Sequence, residues 1–310
     1  MKRKLNSIFG LAVLAILFSI NADSAFAQTN KLYMAMTDIG PSTKALMASK
    51  NIQNVPIISG KEINPAGEKT LDEASFTNAI NKHIPDANAS GYAVIDWEGK
   101  IEADLIFQPR NSDDFKNAQT QYTNAIRLAK KLRPNVKWGF FGIPFQPFKN
   151  DKRQSNVDIP LLSECDAFFP QLYFDYNPGN GNGRRSKSEK QDWLDFNLKN
   201  ILAMASKMNK PVLGFIWHRY YSPGFKNNAL KLIPLDEFNE YVKETMAYSN
   251  NGKSVDGLIM WGNDTYFYTT KSQPLVDEFN ATGGSDFKAY HDTLVYRYAN
   301  KINATINQGH

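Results

Sequence analysis

The chain has 310 residues, 42% of them hydrophobic, which is enough to bury a sizeable core without covalent bridges. Its single cysteine, Cys165, excludes an internal disulfide. A formal charge of +5 is mildly basic: it permits an acidic ligand and points to no nucleic-acid partner.

The chain opens with Met1-Lys2-Arg3-Lys4, then the apolar run Ile8–Ile20, then the small residues of Ser24-Ala25-Phe26-Ala27. That order predicts a secretory signal peptide over 1–27, because the apolar run is shorter than the ~20 residues of a membrane-spanning helix. No cysteine follows that would accept a lipid. Loss of Lys2, Arg3, Lys4 and Asp23 with the signal lowers the charge to about +3. The expectation is a secreted or periplasmic protein of one domain, 28–310, with no membrane span after processing.

Strand-like apolar segments then recur: 32–37, 55–58, 92–97, 136–143, 167–173, 212–217 and 257–262. Most are continuous rather than alternating, which suits parallel strands covered on both faces. Helical segments lie between them. Residues 71–83 begin in acids and carry Phe76, Ala79 and Ile80 as a buried stripe, and 113–132 start acidic, end basic and stop before Pro134. Segments 189–208, 235–249 and 286–305 read similarly. Repeated strand–helix units predict an α/β fold, a distorted (β/α) TIM-like barrel of about seven parallel strands. An open doubly wound sheet is the competitor. No glycine-rich phosphate fingerprint follows the first strand, which weakens its nucleotide-binding version.

In a barrel, chemistry gathers at the carboxyl ends of the strands. Those ends deliver Asp96 and Glu98, then Tyr173, Asp175 and Tyr176, then Trp217, His218 and Arg219, and finally Trp261, Asn263 and Asp264. Carboxyls can protonate a glycosidic oxygen and aromatic faces can stack on sugar rings, so the set points to carbohydrate processing. Asp96 and Glu98 are two apart and share one face of an extended strand, with Trp97 between them turned into the core. Two acids so close share protons, and the proton affinity of one rises. Both lie on one side of any bound linkage, so the second is badly placed as a nucleophile and an acetamido group of the substrate could attack instead. A solvated strand end is the bland alternative. His83, His218, His291 and His310 are scattered without ligand spacing, so no metal and no cofactor are expected. Cys165 reads as a small core residue.

Four blocks, Tyr92–Glu98 (YAVIDWE), Ile126–Phe141 (IRLAKKLRPNVKWGFF), Val212–Tyr220 (VLGFIWHRY) and Asp256–Gly262 (DGLIMWG), together resemble the hyaluronidases, glycoside hydrolase family 56, in order and spacing. The resemblance implies a distorted barrel and an endo-acting, retaining hydrolase that cleaves beside N-acetylglucosamine with help from the substrate's own acetamido oxygen. It implies Glu98 as the proton donor and Asp96 as the partner that orients the acetamido group. It also implies that Tyr173 bonds that group and that Trp261 lines its pocket. His218 stands where the family usually has tyrosine; it could donate a hydrogen bond or merely pack. Cys165 is alone where the animal enzymes have disulfides, which sets this chain apart and leaves the polymer open.

Further substrate contacts are expected from Trp217, Tyr220, Asp175, Arg184 and Arg185. The two arginines follow the Asn/Gly-rich loop Asn177–Gly183, and Lys149, Lys152, Arg153 and Lys187 would also suit a uronate-containing polymer unless they are ordinary surface charge. Tyr220 and Tyr221 could form a sugar platform or pack beneath the loop. The expected partner is a polysaccharide, with the protein a monomer. Two alternatives stay open: a glycan-binding barrel without turnover, and a glycosidase of a substrate lacking the acetamido group, for which Asp175 or Asp264 would have to attack.

Overall fold

The computed structural model describes residues 31–36, 38–145, 159–174, 187–221 and 230–307, with no side chains described over 187–190. The chain begins with β1 (Leu32–Ala35), α1 (Pro41–Lys50), β2 (Gln53–Asn54), β3 (Ile57–Ser59), α2 (Gly60–Ile63), α3 (Glu73–His83), β4 (Gly91–Asp96) and α4 (Lys100–Phe107). It continues through α5 (Asp113–Leu132), β5 (Val136–Phe140), α6 (Leu161–Glu164), α7 (Lys187–Met208), β6 (Leu213–Trp217) and α8 (Leu235–Ala247). A small hairpin of β7 (Ser249–Asn250) and β8 (Lys253–Ser254) precedes β9 (Gly257–Trp261), α9 (Asp264–Thr269), α10 (Gln273–Ala281) and α11 (Phe287–Asn307).

Among the described residues the named strands pair in parallel in the orders β2-β1-β9-β6 and β3-β4-β5, and β7–β8 is an antiparallel hairpin. Two features join these arcs into a ring. The first is the segment 53–59, whose first half pairs with β1 and whose second half pairs with β4. Val55 N–H donates to the Met34 carbonyl and Val94 N–H to the Pro56 carbonyl. Pro56 has no amide hydrogen, so the strand expected over 55–58 is split there into two short pieces. The second is the expected strand 167–173, which forms isolated bridges from Phe169 to Phe141 and from Phe168 and Gln171 to Val212 and Phe215. Pro170 interrupts that ladder in the same way, although Phe215 N–H still donates to the Pro170 carbonyl. The result is the distorted seven-segment (β/α) barrel expected from the sequence.

The period of two along each strand sorts its side chains into two layers. Val94, Leu213, Phe215, Trp217 and Ile259 join Phe169 and Tyr173 in an interior cluster. Their neighbours Ala93, Ile95, Val212, Ile216, Leu258 and Met260 face the helices and join the larger cluster with Phe76, Ala125 and Val295. Every residue of β6 is buried, as its continuous apolar run required. Close approach is enforced at Gly139, where a Cβ would stand 2.3 Å from the Ala167 carbonyl oxygen.

Capping fixes the helix ends. Ser112 accepts from Phe115 N–H and Asp72 from Ser75 N–H, so the helix expected from residue 71 begins at Glu73 with Asp72 as its cap. Asp292 of α11 accepts from the Ser42 and Thr43 amides at 2.8 and 2.9 Å, tying the last helix to the first. Helices α1 and α4, with the short α9 and α10, were not anticipated from the sequence. In α1 the buried side chains are only Thr43 and Leu46, too few to make a legible stripe.

Candidate active site

The carboxyl ends of the strands open into two adjoining cavities of about 180 and 200 Å³ that share Asp96, Glu98, Phe141, Gln171 and Tyr221. They are two lobes of one groove. The more polar lobe continues over Glu102, Ile106 and Tyr122, and the apolar lobe over Tyr173, Trp217, Trp261 and Phe267.

β4 supplies the acids. Asp96 is its last residue and has the interior parity of Val94, while Glu98 follows one step beyond the strand. Gly99 then turns the chain into α4 with φ of 107°, a conformation that a side chain at this position would strain. Trp97 points the other way, as expected: it is buried, stacks on Tyr122 at 5.5 Å and 13°, and its carbonyl accepts from the Tyr122 hydroxyl.

Burial, followed by the nearby charges of Glu98 and Glu102, pushes Asp96 up to about 8. Burial also raises Glu98, whose side chain stays open to the groove. The pair therefore retains a proton near neutrality, the condition for one member to act as a general acid. Asp96 Oδ1 is buried without a hydrogen-bond partner.

The aromatic floor comes from four segments, 167–173, β6, β9 and α9. Tyr173 stacks on Trp261 at 5.6 Å and 24°, Trp217 meets Trp261 edge-on at 5.1 Å, and Phe267 stacks on Trp217 at 5.8 Å and 29°. Tyr173 also touches Tyr221 and Phe141 at 5.5 and 6.0 Å. Burial, with the charges of Asp96 and Glu98 nearby, holds the Tyr173 phenol well above its ordinary range, so it is a neutral hydrogen-bond donor.

The structure thus brings Asp96, Glu98, Tyr173, Trp217 and Trp261 together. It places His218 elsewhere. One residue past Trp217, its parity turns it out of the barrel, where it is fully buried with Nε2 3.0 Å from Asp264 Oδ2. The packing alternative therefore describes His218. Asp264 also accepts from Arg219 Nε and Nη2 at 2.9 and 2.7 Å. Although burial pulls its proton affinity up, His218 and Arg219 hold it well below the usual carboxylate range. Being fully buried and committed to His218 and Arg219, it is a poor nucleophile for a substrate without an acetamido group. Tyr220 is buried with its ring against Phe174 and its hydroxyl 3.3 Å from Glu237, outside the lining of the groove. Asp175, Tyr176, Arg184, Arg185, Lys149, Lys152, Arg153, His310, the loop Asn177–Gly183 and the signal segment lie outside the described residues, as does the side chain of Lys187.

Gln171, Phe141, Glu102 and Phe267 also line the groove and were not singled out from the sequence. Gln171 was within reach, because in FFPQLY it shares the interior parity of Phe169 and Tyr173. Phe267 carried no signal, since its place depends on how α9 docks. Cys165 is buried, and no group of acids, histidines or cysteines among the described residues could hold a metal ion.

No family model matches the chain. Two curated relatives do. Hyaluronidase Tab y 2.0101 of Tabanus yao is 24% identical over 249 residues, covering 68% of this chain and 67% of its own. The hyaluronidase of Polistes annularis is 21% identical over 245 residues, covering 64% of this chain and 61% of its own. The chain therefore spans about two thirds of the length of these relatives. Among solved structures, bee venom hyaluronidase in its monoclinic crystal aligns with a TM-score of 0.56 at 17% identity, covering 81% of this chain and 97% of its own. The same enzyme in complex with a hyaluronic acid tetramer aligns at 0.53 and 15% identity, over 86% and 99%. In sequence this chain is therefore similar to two hyaluronidases, and in fold it is similar to bee venom hyaluronidase.

Proposed function

We propose that the protein is a secreted, endo-acting glycoside hydrolase that cleaves polysaccharides containing N-acetylhexosamine, glycosaminoglycans included, by substrate-assisted retaining catalysis. The observation that carries this reading is the convergence of Asp96, Glu98, Tyr173 and Trp261 on one groove at the carboxyl ends of the barrel strands. Glu98 donates its proton to the glycosidic oxygen as the bond from C1 to that oxygen breaks, and the acetamido oxygen closes on C1 to form an oxazolinium ion. The Glu98 carboxylate then takes a proton from water as that water attacks C1, which restores the acetamido group and keeps the configuration. Asp96, beside Glu98 in the groove, orients the acetamido group. Tyr173 donates to that group, and Trp261 walls its methyl. The likeness to bee venom hyaluronidase, one structure of which holds a hyaluronic acid tetramer, supports an N-acetylhexosamine polymer as substrate. The basic, apolar and small-residue order of 1–27 supports export, and no helix among the described residues is long and apolar enough to cross a membrane.

The test is product analysis. The processed protein is incubated with hyaluronan, chondroitin and chitin-like oligosaccharides, and new reducing ends are measured. Glu98→Gln should lower release by about 10²- to 10⁴-fold while keeping affinity. A thiazoline mimic of the oxazolinium ion should inhibit. Undiminished cleavage by Glu98→Gln would show the acid to be misassigned. Indifference to the thiazoline would favour a mechanism without the acetamido group, and binding with no cleavage by wild type would favour a glycan-binding barrel.

A further inference from the structure

Helix α9 has six residues, too short to hold its shape unaided in water, so its position is set by what grips it. The grip is at its first residue. Asp264 binds His218 and Arg219, Arg219 continues to Glu278 through two hydrogen bonds of 2.9 Å, and the Tyr290 hydroxyl donates to Glu278 at 2.6 Å. A buried ionic cluster of this kind commonly stabilises no better than apolar side chains of equal volume; what it adds here is one allowed geometry.

That geometry places Phe267 of α9 in the groove and its neighbour Tyr266 beside it, outside the lining. Phe267 lines the apolar lobe, stacked on Trp217. Tyr266 stands edge-on to Phe267, with ring centroids 5.5 Å apart and an interplanar angle of 72°. It is 56% exposed, the most open large apolar side chain among the described residues. Ring contacts therefore succeed one another from Trp261 and Trp217 on the floor, through Phe267, to Tyr266 outside the lobe. Asp96 and Glu98 lie at the inner end of this track and Tyr266 at the outer.

We infer that Tyr266 is an outer subsite, stacking a sugar ring of the same polysaccharide chain beyond the rings held in the groove; the inference rests on the reading of the groove as polysaccharide-cleaving. A pyranose presents a face of C–H groups that packs on a phenol ring, while its rim hydroxyls can bond the phenol oxygen. The phenol reaches only a chain long enough to leave the lobe, so its contribution depends on substrate length. It would favour polymers over short oligosaccharides without touching the cleaved bond.

The experiment measures affinity for a ladder of N-acetylhexosamine oligosaccharides, from two to ten sugars, with Glu98→Gln present throughout to prevent cleavage. Adding Tyr266→Ala should weaken the longest members by about three- to tenfold and leave the shortest unchanged, whereas Tyr266→Phe should stay within about twofold at every length. Circular dichroism checks that the fold is intact. Equal affinity with and without Tyr266→Ala at every length overturns the subsite and leaves the reading of the groove standing. A loss of the same size at every length also overturns it, because the ring would then act through Phe267 on the groove itself. Failure of any oligosaccharide to bind even before the Tyr266 changes overturns the subsite and the groove reading together.

Discussion

Asp96→Asn isolates the most consequential charge in the groove. An unperturbed aspartate is ionised above its ordinary value of 3.8, whereas folded Asp96 keeps its proton up to about 8 because of burial and the neighbouring Glu98 and Glu102. Between those values the folded protein binds a proton that the unfolded chain has released. The stability contribution is therefore fully present below 3.8 and is lost as pH rises through about 8. The slope is about 1.4 kcal/mol per pH unit, so raising the pH by about two units within the window removes ~3 kcal/mol. For a domain of this size that corresponds to a fall of ~6–12 °C in the melting temperature. Asparagine keeps the shape and cannot ionise, so the variant should lack this slope and gain on wild type as pH rises. Urea and thermal melts of both proteins across a pH series from about 5 to 8 measure the difference directly. A wild-type-minus-variant difference that stays flat over that range would refute the protonated, desolvated Asp96 on which the catalytic reading depends.

Turnover of an N-acetylhexosamine polymer should fall as pH rises through about 8, where Asp96 gives up its proton; a rate that keeps rising past that point contradicts the assignment. Arg219→Met leaves Asp264 and Glu278 without their common cation and should destabilise the fold by ~3–5 kcal/mol, with part recovered on adding Asp264→Asn and Glu278→Gln, as urea melts would report. Gly139→Ala places a Cβ against the Ala167 carbonyl and the Phe169 ring where the barrel ladder is thinnest. It should cost ~1–3 kcal/mol in the same assay, and a neutral result would mean that the 167–173 segment yields easily.

Much of the site could be read from the chain because strand parity is local. YAVIDWE sets Asp96 on the side of Val94 and Trp97 on the other, whatever the strand pairs with. The same rule applied to FIWHRY puts Trp217 inside and His218 outside, yet His218 was still a candidate, because parity says which face a residue takes and not what waits there. What waits is Asp264 from the start of α9 and, through Arg219, Glu278 from α10, residues 46 and 59 positions away along the chain. Tyr220 was ambiguous for the same reason until its ring was seen against Phe174.

By itself the sequence determined the recurring parallel strands, the acid pair at the end of one of them, and the aromatic residues at the ends of three others. These follow from hydrophobic continuity, turn chemistry and period-two geometry, all properties of short segments. Only the tertiary structure decided that 53–59 serves two neighbours and that Pro170 thins the ladder to bridges. It alone brought the short helix α9 to the groove with Phe267 and Tyr266, and lifted Asp96 to about 8. Those outcomes depend on desolvation and on contacts between residues far apart in the chain, and burial exists only once the ring has closed.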